Sequence, residues 1–239
     1  MSRSSFRTPT GRPVTAVTAE EMRDVDRVAV EDVGLRLLQM MENAGRTLAW
    51  HVRDVRDGEV AVVAGDGGNG GGGLACARHL ANRSVPVRVV LDRPSGELSG
   101  AAAHQCRILE EMGVAVAAGV ESLPDADGRT TVVDALIGYG LDGHVRPPAD
   151  GYIDRMNELA GPTVSLDVPS GVDATTGETL GTAVAPDRTV TLALPKTGLD
   201  APPGALYLAD IGIPRTVYER LDIEYGRPFG DDDWVRLDR

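Results

Sequence analysis

The chain has 239 residues, of which 42% are hydrophobic and 4% aromatic, so it can build a sizeable core from aliphatic side chains. Its formal net charge of −12 argues against nucleic acids and anionic membrane surfaces as main partners. There is no run of about 18 apolar residues and no apolar signal-peptide region at the start. Two cysteines, Cys76 and Cys106, are too few for a disulfide framework, so we expect a cytoplasmic protein.

Lysine is almost absent from this acidic chain. Lys196 is the only one, and arginine supplies the other positive charges. An excess of Asp and Glu with so little lysine is typical of a salt-rich cytoplasm, and we therefore favour a halophilic source. A GC-rich genome with an ordinary acidic surface would give the same composition. Net charge bears on solubility rather than on fold, so it predicts nothing about the architecture.

The start of the chain predicts a tail and two helices. Residues 1–17 are polar and are interpreted as a flexible tail, and residues 18–239 as a single domain. A capping box at 18–21 predicts the first helix, and apolar residues at helical spacing predict a second over 34–55. Asn43 lies inside that second helix, where it either reaches a site or faces solvent.

The segment around which the chain is organised is 60–74. The apolar run Val60-Ala-Val-Val-Ala64 is followed by seven glycines among nine residues and then by helix formers from Leu74. This pattern predicts a strand, a tight glycine loop and a helix. Glycines permit positive φ and close approach of a ligand, and the free N–H groups at a helix start favour an anion. Residues 65–70 also match G-x-G-x-x-G, a weak signal that this strand–helix context strengthens.

Strands and helices continue to alternate along the rest of the chain. This alternation predicts a mostly parallel central sheet flanked by helices, which is a Rossmann-like three-layer α/β sandwich. The acidic end of the chain is interpreted as loose. The predicted strands cover 86–91, 114–116, 131–134, 163–167, 188–194 and 205–208, and the predicted helices cover 100–112 and 149–159.

Three loops with oxygen-bearing side chains are expected to meet at one edge of this sheet. Ligands of parallel sheets bind beyond the carboxyl ends of the strands. Asn69 follows one strand, Asp134 ends another, and Asp167 and Ser170 follow a third. Carboxylate, amide and hydroxyl oxygens suit a hard cation such as K⁺, Na⁺, Mg²⁺ or Ca²⁺. The alternative is that the aspartates only cap local turns, but two of them beside glycine-rich loops favour a site.

Five segments together resemble the YjeF N-terminal domain family, the NAD(P)H-hydrate epimerases. They occur in the family's order at 41–45, 65–80, 133–141, 166–177 and 191–199. The resemblance implies a Rossmann-like isomerase, often a homodimer, that interconverts the R and S epimers of hydrated NADH and NADPH (NADHX and NADPHX). It also implies a separate NAD(P)H-hydrate dehydratase as a functional partner.

The resemblance also assigns residues to a site. By motif position, the ligands of one K⁺ per subunit would be Asn69, Asp134 and Ser170. The hydrated dinucleotide would contact Asp167 and two glycine-rich loops. These loop residues are Gly68, Asn69, Gly70, Gly71, Gly72, Gly138, Tyr139, Gly140, Leu141, Asp142, Gly143 and His144.

Two side chains carry the chemical hypotheses. Asp167, a strand-end carboxylate beside a cation and a nicotinamide-sized space, is our candidate for the general acid/base at the hydrated carbon. Lys196 either meets a substrate phosphate or is a loop or surface lysine.

The glycine segment departs from the family's Gly-Asn-Asn-Gly-Gly-Asp-Gly. Gly68 replaces the first Asn and Gly72 replaces the Asp, which removes an acceptor and a negative charge. This loss keeps open a non-catalytic nucleotide-binding or scaffold role. A less favoured alternative is an NAD-dependent oxidoreductase, in which Asp92 would take the ribose-binding position after the motif. No substrate-side proton donor follows in the sequence for that reaction.

Overall fold

The computed structural model describes residues 6–125 and 129–239. Within them a two-stranded ribbon precedes a sheet of eight strands. The ribbon is β1 (Phe6–Arg7) with β2 (Pro13–Val14), and the sheet contains β3 (Val60–Ala64), β4 (Val87–Leu91), β5 (Ala115–Ala118), β6 (Thr131–Ala135), β7 (Thr163–Leu166), β8 (Arg188–Leu192), β9 (Ala205–Ala209) and β10 (Trp234–Leu237).

The strand order of the large sheet is β10–β9–β8–β7–β6–β3–β4–β5, and only β10 runs antiparallel to its neighbour. The predicted mostly parallel sheet is therefore confirmed. The chain builds outward from β3 to β5, returns to the other side of β3 with β6, and continues to β9. Strands β3 and β6 flank the point where the order reverses, which is where doubly wound sheets bind ligands.

Six α-helices are present in the described residues: α1 (Ala19–Arg27), α2 (Leu37–Val55), α3 (Gly68–Ala81), α4 (Gly100–Glu111), α5 (Ala149–Glu158) and α6 (Arg215–Arg220). The predicted capping box begins α1, with Thr18 and Glu21 accepting from each other's backbone N–H groups. The six residues of α6 are too few to give a helical period, and the sequence did not predict it. No helix in the described part of the chain is long and apolar enough to span a membrane.

The central strand β3 separates two helical layers. Its residues Val60, Val62 and Ala64 belong to a core with α2, α3 and α4. The intervening Val63 belongs to a different core, which includes Tyr152 of α5. Successive strand residues face opposite sides, and a strand that is apolar on both faces is typical of a parallel sheet covered by helices on both sides.

The predicted glycine loop is wrong, because helix α3 begins at Gly68 and not at Leu74. None of the glycines between residues 65 and 73 has a positive φ. Several of them serve close packing: a Cβ on Gly70 would collide with the Gly65 carbonyl, and a Cβ on Gly73 would collide with the Ala135 side chain. The missing side chains let the first turns of α3 lie against the ends of β3 and β6.

Both ends of the chain are more ordered than the sequence predicts. Residues 1–17 were interpreted as a flexible tail. Residues 1–5 lie outside the described residues, and 6–17 form the ribbon and the segment after it, which bury several apolar side chains. Phe6 and Val14 are buried in a core with Leu237, because their apolar side chains complete that face of β9. The end interpreted as loose contains β10, which pairs with β9.

Helices α2 and α3 approach each other most closely at Gly45. A Cβ there would lie 2.5 Å from the Ala75 Cβ and 2.8 Å from the Cys76 backbone nitrogen. Because backbone cannot move aside cheaply, this crossing requires glycine.

We expect Gly45→Ala to lower the free energy of unfolding by about 1–3 kcal/mol through overpacking. The matched control is Gly151→Ala in α5, where no atom lies within 4 Å of the added Cβ. That variant should gain up to about 1 kcal/mol from helix propensity. Urea unfolding of both variants measures the difference, and equal stabilities would contradict the close crossing.

Candidate active site

A cavity of about 420 Å³ lies at the carboxyl ends of β3, β6, β7 and β8. This volume falls within the range of roughly 300–1,000 Å³ that is usual for small-molecule sites. Seven of the predicted substrate-binding residues line it. They are Gly68, Asn69, Gly72, Gly138, Tyr139, Gly140 and Asp167.

The remaining predicted substrate contacts do not line the cavity. Gly70 and Gly71 are buried in the packed first turn of α3, where a Cβ on Gly71 would meet the Met41 side chain. The outer part of the second loop, Leu141, Asp142, Gly143 and His144, lies beyond the lining residues. The cavity is therefore lined by Gly68, Asn69 and Gly72 of the first predicted loop and by residues 138–140 of the second.

Two helices from the start of the chain complete the cavity wall, and the sequence did not identify them as part of the site. Helix α1 contributes Arg23 and Asp26, and α2 contributes Leu37, Met40, Met41 and Ala44. Periodicity identified only the apolar inward face of α1, and no local signal marks Asp26 as facing a cavity. Asn43 does not line the cavity; its amide donates to the Ile211 carbonyl at 3.2 Å.

Asp134 is fully buried at the end of β6 and joins three segments. Its Oδ1 accepts from the Ser170 hydroxyl at 2.5 Å and the Leu136 N–H at 3.3 Å. Its Oδ2 accepts from the Ser165 hydroxyl at 2.8 Å and the Ser170 N–H at 2.9 Å. Burial raises the pKa of Asp134, and the hydrogen bonds from both serines oppose that rise.

The three residues implied as cation ligands lie around one loop. The Ser170 hydroxyl contacts the backbone N–H of Ile137 at 2.9 Å and its carbonyl at 3.2 Å. The Asn69 side chain lies against Gly138, the next residue along. The buried Asn69 Nδ2 has no hydrogen-bond partner within the described residues. This nitrogen is a donor, so the partner that it lacks at the cavity wall would be a hydrogen-bond acceptor and not a cation.

This donor set fits a monovalent cation better than a transition metal. It combines one carboxylate, one amide, one hydroxyl and nearby backbone carbonyls, which are hard oxygen ligands. Within residues 6–125 and 129–239 no group of three His, Cys, Asp or Glu side chains could hold a metal ion. A single buried carboxylate would also gain a compensating charge from a bound cation.

Asp167 stands directly after β7 with a φ of +66°. A residue with a Cβ adopts this left-handed region at a cost of about 1–2 kcal/mol. The neighbouring backbone holds it there: its N–H donates to the Val190 carbonyl at 2.8 Å, and the Val168 N–H donates to the Leu166 carbonyl at 2.9 Å. The turn presents the carboxylate, which is only 5% exposed, to the cavity.

Lys196 is neither a surface lysine nor a cavity-lining one. Only 1% of its side chain is exposed, and its ammonium forms an ion pair with the Asp167 carboxylate. The expectation of a surface lysine was therefore wrong, because a lone lysine in a loop gives no sequence signal of burial, and contact with a substrate phosphate stays a prediction.

A second acidic group faces the same cavity. The Tyr139 hydroxyl donates to Asp26 Oδ2 at 2.5 Å. Burial raises the pKa of Asp26, and the negative charge of Asp167 adds to that rise. Burial also raises the pKa of Tyr139. The cavity thus contains two acid groups on opposite elements, together with a phenol that remains protonated at neutral pH.

The family model described as YjeF-related protein N-terminus matches residues 37–198. This match covers more than half of the chain and all of the segments that form the carboxyl-end cavity except α1 and Ile211. The chain belongs to this YjeF-related family.

Relatives across the family support the assignment. An NAD(P)H-hydrate epimerase of Dehalogenimonas lykanthroporepellens is 44% identical, with 97% of this chain and 96% of the relative covered. A bifunctional NAD(P)H-hydrate repair enzyme of Salinibacter ruber is 38% identical over 85% of this chain, which spans 42% of that relative. The crystal structure of yeast ynu0 (YNL200c) superposes with a TM-score of 0.81 at 25% identity, covering 93% of this chain and all of the yeast chain.

The YjeF-family aspartate that Gly72 replaces can be tested directly. A Cβ on Gly72 would lie 2.8 Å from Leu166 Cδ2, so both Gly72→Asp and Gly72→Ala should cost about 1–3 kcal/mol of stability. Only the aspartate restores the acceptor, so we expect a lower KM for hydrated dinucleotide in Gly72→Asp than in Gly72→Ala. Steady-state kinetics and thermal melting separate the two effects. Equal KM values would show that the carboxylate has no role in binding.

Proposed function

We propose that this chain is an NAD(P)H-hydrate epimerase, an isomerase that interconverts the R and S forms of NADHX and NADPHX. The observation that carries the proposal is the Asp167 carboxylate, held in a strained turn at the wall of the cavity in a member of this family. Relatives that match 97% and 83% of this chain carry this name.

The cavity suits one end of an anionic dinucleotide. Gly67 and Gly68 at the start of α3 have open space where side chains would be, so the free N–H groups of that helix end can approach a diphosphate. Arg23 adds a guanidinium at the wall. The apolar side chains of Met40 and Met41 provide a surface for the hydrated ring.

Epimerisation at the hydroxyl-bearing carbon requires a proton to leave the hydroxyl group or to reach it. Ring opening begins with loss of that proton, and elimination of water begins with its addition. A carboxylate within hydrogen-bond reach serves either route as general base or general acid. Asp167 is the candidate because it combines cavity access with a fixed position.

We expect Asp167→Asn to lower kcat for epimer interconversion by about 10²–10⁴-fold, because the amide cannot exchange a proton. The control is Asp92→Asn, since Asp92 is paired with Arg93 at 2.9 and 3.0 Å and does not line the cavity. Chromatography of purified (R)-NADHX and (S)-NADHX during the reaction measures both variants. Full activity of Asp167→Asn at saturating substrate would contradict its role. Inactivity of the native chain towards both epimers would favour the non-catalytic nucleotide-binding or scaffold alternative, or the oxidoreductase alternative.

A K⁺ ion is the proposed cofactor, held by Asn69, Asp134 and Ser170. When bound, it would supply a fixed positive charge beside the substrate. The burial of the Asp134 carboxylate beside the Ser170 hydroxyl supports this part of the proposal, because a bound cation would compensate its charge.

We expect K⁺ to raise the melting temperature of the ligand-free chain relative to tetramethylammonium at the same ionic strength, because a ligand stabilises the state that binds it. Epimerase activity should rise in parallel. Ser170→Ala should abolish both responses, while Ser122→Ala, which removes a hydroxyl far along the chain in a local turn, should keep them. Identical melting in the two cations would count against the site.

Several further expectations belong to this proposal. A homodimer, a cytoplasmic location and a salt-rich cell interior follow from the family resemblance and from the composition. Names of bifunctional relatives indicate that the epimerase works beside a second repair activity, and we propose that a separate NAD(P)H-hydrate dehydratase supplies it here.

A further inference from the structure

We propose that Lys196 is a positioning residue that holds the Asp167 carboxylate for proton transfer, an inference that rests on the proposed epimerase function. Lys196 is the only lysine in 239 residues, and its side chain is 1% exposed. A buried ammonium is unfavourable unless it is paired and hydrogen-bonded. The other cationic side chains of the protein are arginines, and its one lysine lies where the unfavourable free energy of burying an ammonium must be offset by partners.

The ammonium has three partners for its three N–H bonds. It donates to Asp167 Oδ1, it donates to the Leu192 carbonyl at 3.1 Å, and it lies 5.5 Å from the centre of the Tyr139 ring. The last distance is within the usual range of a cation–π contact. A compact ammonium fits these three directions, whereas a planar guanidinium with five N–H donors does not. This geometry gives a physical reason for lysine at this position.

The two carboxylate oxygens of Asp167 differ in their hydrogen bonds. Oδ1 accepts from Lys196, from the Thr191 hydroxyl at 3.3 Å and from the Leu192 N–H at 3.1 Å. No hydrogen bond within the described residues reaches Oδ2. One oxygen is thus fixed by three donors, and the other is left for the ligand in the cavity.

Backbone contacts fix Lys196 in turn. The Val17 N–H donates to the Pro195 carbonyl at 3.0 Å, and the Thr197 N–H donates to the Val17 carbonyl at 2.9 Å. Lys196 therefore lies between two backbone hydrogen bonds to the N-terminal segment. A supported second layer of this kind holds a reacting group in a productive position.

Lys196 itself does not line the cavity, whereas its partner Asp167 does, which fits a positioning role rather than direct contact with the substrate.

A double-mutant cycle on epimer interconversion tests this role. We expect Lys196→Met to lower kcat by about 10²-fold with little change in KM, since small displacements of a reacting group have effects of that size. If Lys196 acts only through Asp167, the double variant Lys196→Met/Asp167→Asn will be no slower than Asp167→Asn alone. If the double variant instead lowers kcat by the product of the two single effects, the proposal is overturned.

The matched control is Arg188→Met. Arg188 is also a largely buried cation, 12% exposed, and it pairs with Asp54 at 3.0 Å near the amino end of β8, far from the cavity. We expect a lower melting temperature with an unchanged kcat. A kcat loss in Arg188→Met equal to that in Lys196→Met would mean that Lys196 has a general stabilising role, which would also overturn the proposal.

The Lys196–Asp167 ion pair can also be tested by a measurement that does not depend on epimerase activity. Because the chain has one lysine, protein labelled with ¹⁵N-lysine gives a single side-chain ammonium signal in NMR spectra. We expect a slowly exchanging signal that shifts in Asp167→Asn and not in the control Asp54→Asn. An unshifted signal would overturn the positioning role whatever the activity. A shifted signal in a chain that does not interconvert epimers would instead contradict the proposed function.

Discussion

The buried carboxylate of Asp134 is the point on which the geometry of the site depends. It receives hydrogen bonds from β7, from the turn after β6 and from the loop at Ser170. Those contacts fix the separation of β6 and β7 at their carboxyl ends. They also place Ile137, and with it Gly138 and Tyr139, at the cavity wall. Burial of a charged carboxylate at Asp134 is unfavourable in free energy, and four hydrogen bonds from neutral donors only partly offset it.

The glycine run has a different physical role from the one that its motif indicates. In a phosphate-binding loop, glycines serve positive φ and ligand approach. In this chain they serve the approach of a helix to the sheet: Gly65, Gly70 and Gly73 leave no room for a Cβ. Only Gly67 and Gly68 at the start of the helix have open space in front of them. Most glycines of the motif therefore serve helix–sheet packing, and only Gly67 and Gly68 leave space for a ligand.

The sequence predicted the sheet well because its central strands β3, β6 and β7 are short runs that are buried at every position. Predicted and observed bounds agree within two residues for β3, β4, β6, β7 and β8. Strand-end residues such as Asp134 and Asp167 were also identified, since parallel strands bring their carboxyl ends together. The family resemblance added the assignment of the cation ligands to specific residues, which spacing alone had left open.

The parts that could not be predicted depend on contacts between distant segments. Asp26 reaches the cavity because α1 packs beside the turn of Tyr139, 113 residues later. Lys196 is buried because Val17 pairs with its flanking residues. The order of residues 6–17 likewise depends on a surface formed by the last strands. No local pattern in hydrophobicity or charge encodes such long-range packing.

The isolated backbone pairing of Arg7 with Asp238 also sets how this domain can be connected to others. Arg7 exchanges backbone hydrogen bonds of 2.9 and 2.8 Å with Asp238. The adjoining Leu237 pairs with Leu206, the second residue of β9, so Arg7 and Asp238 lie near the amino edge of the sheet. The cavity lies at the carboxyl edge. A polypeptide joined to Arg239 would therefore leave the domain on the side away from the cavity, and its attachment would leave the mouth of the cavity open to diffusing substrate.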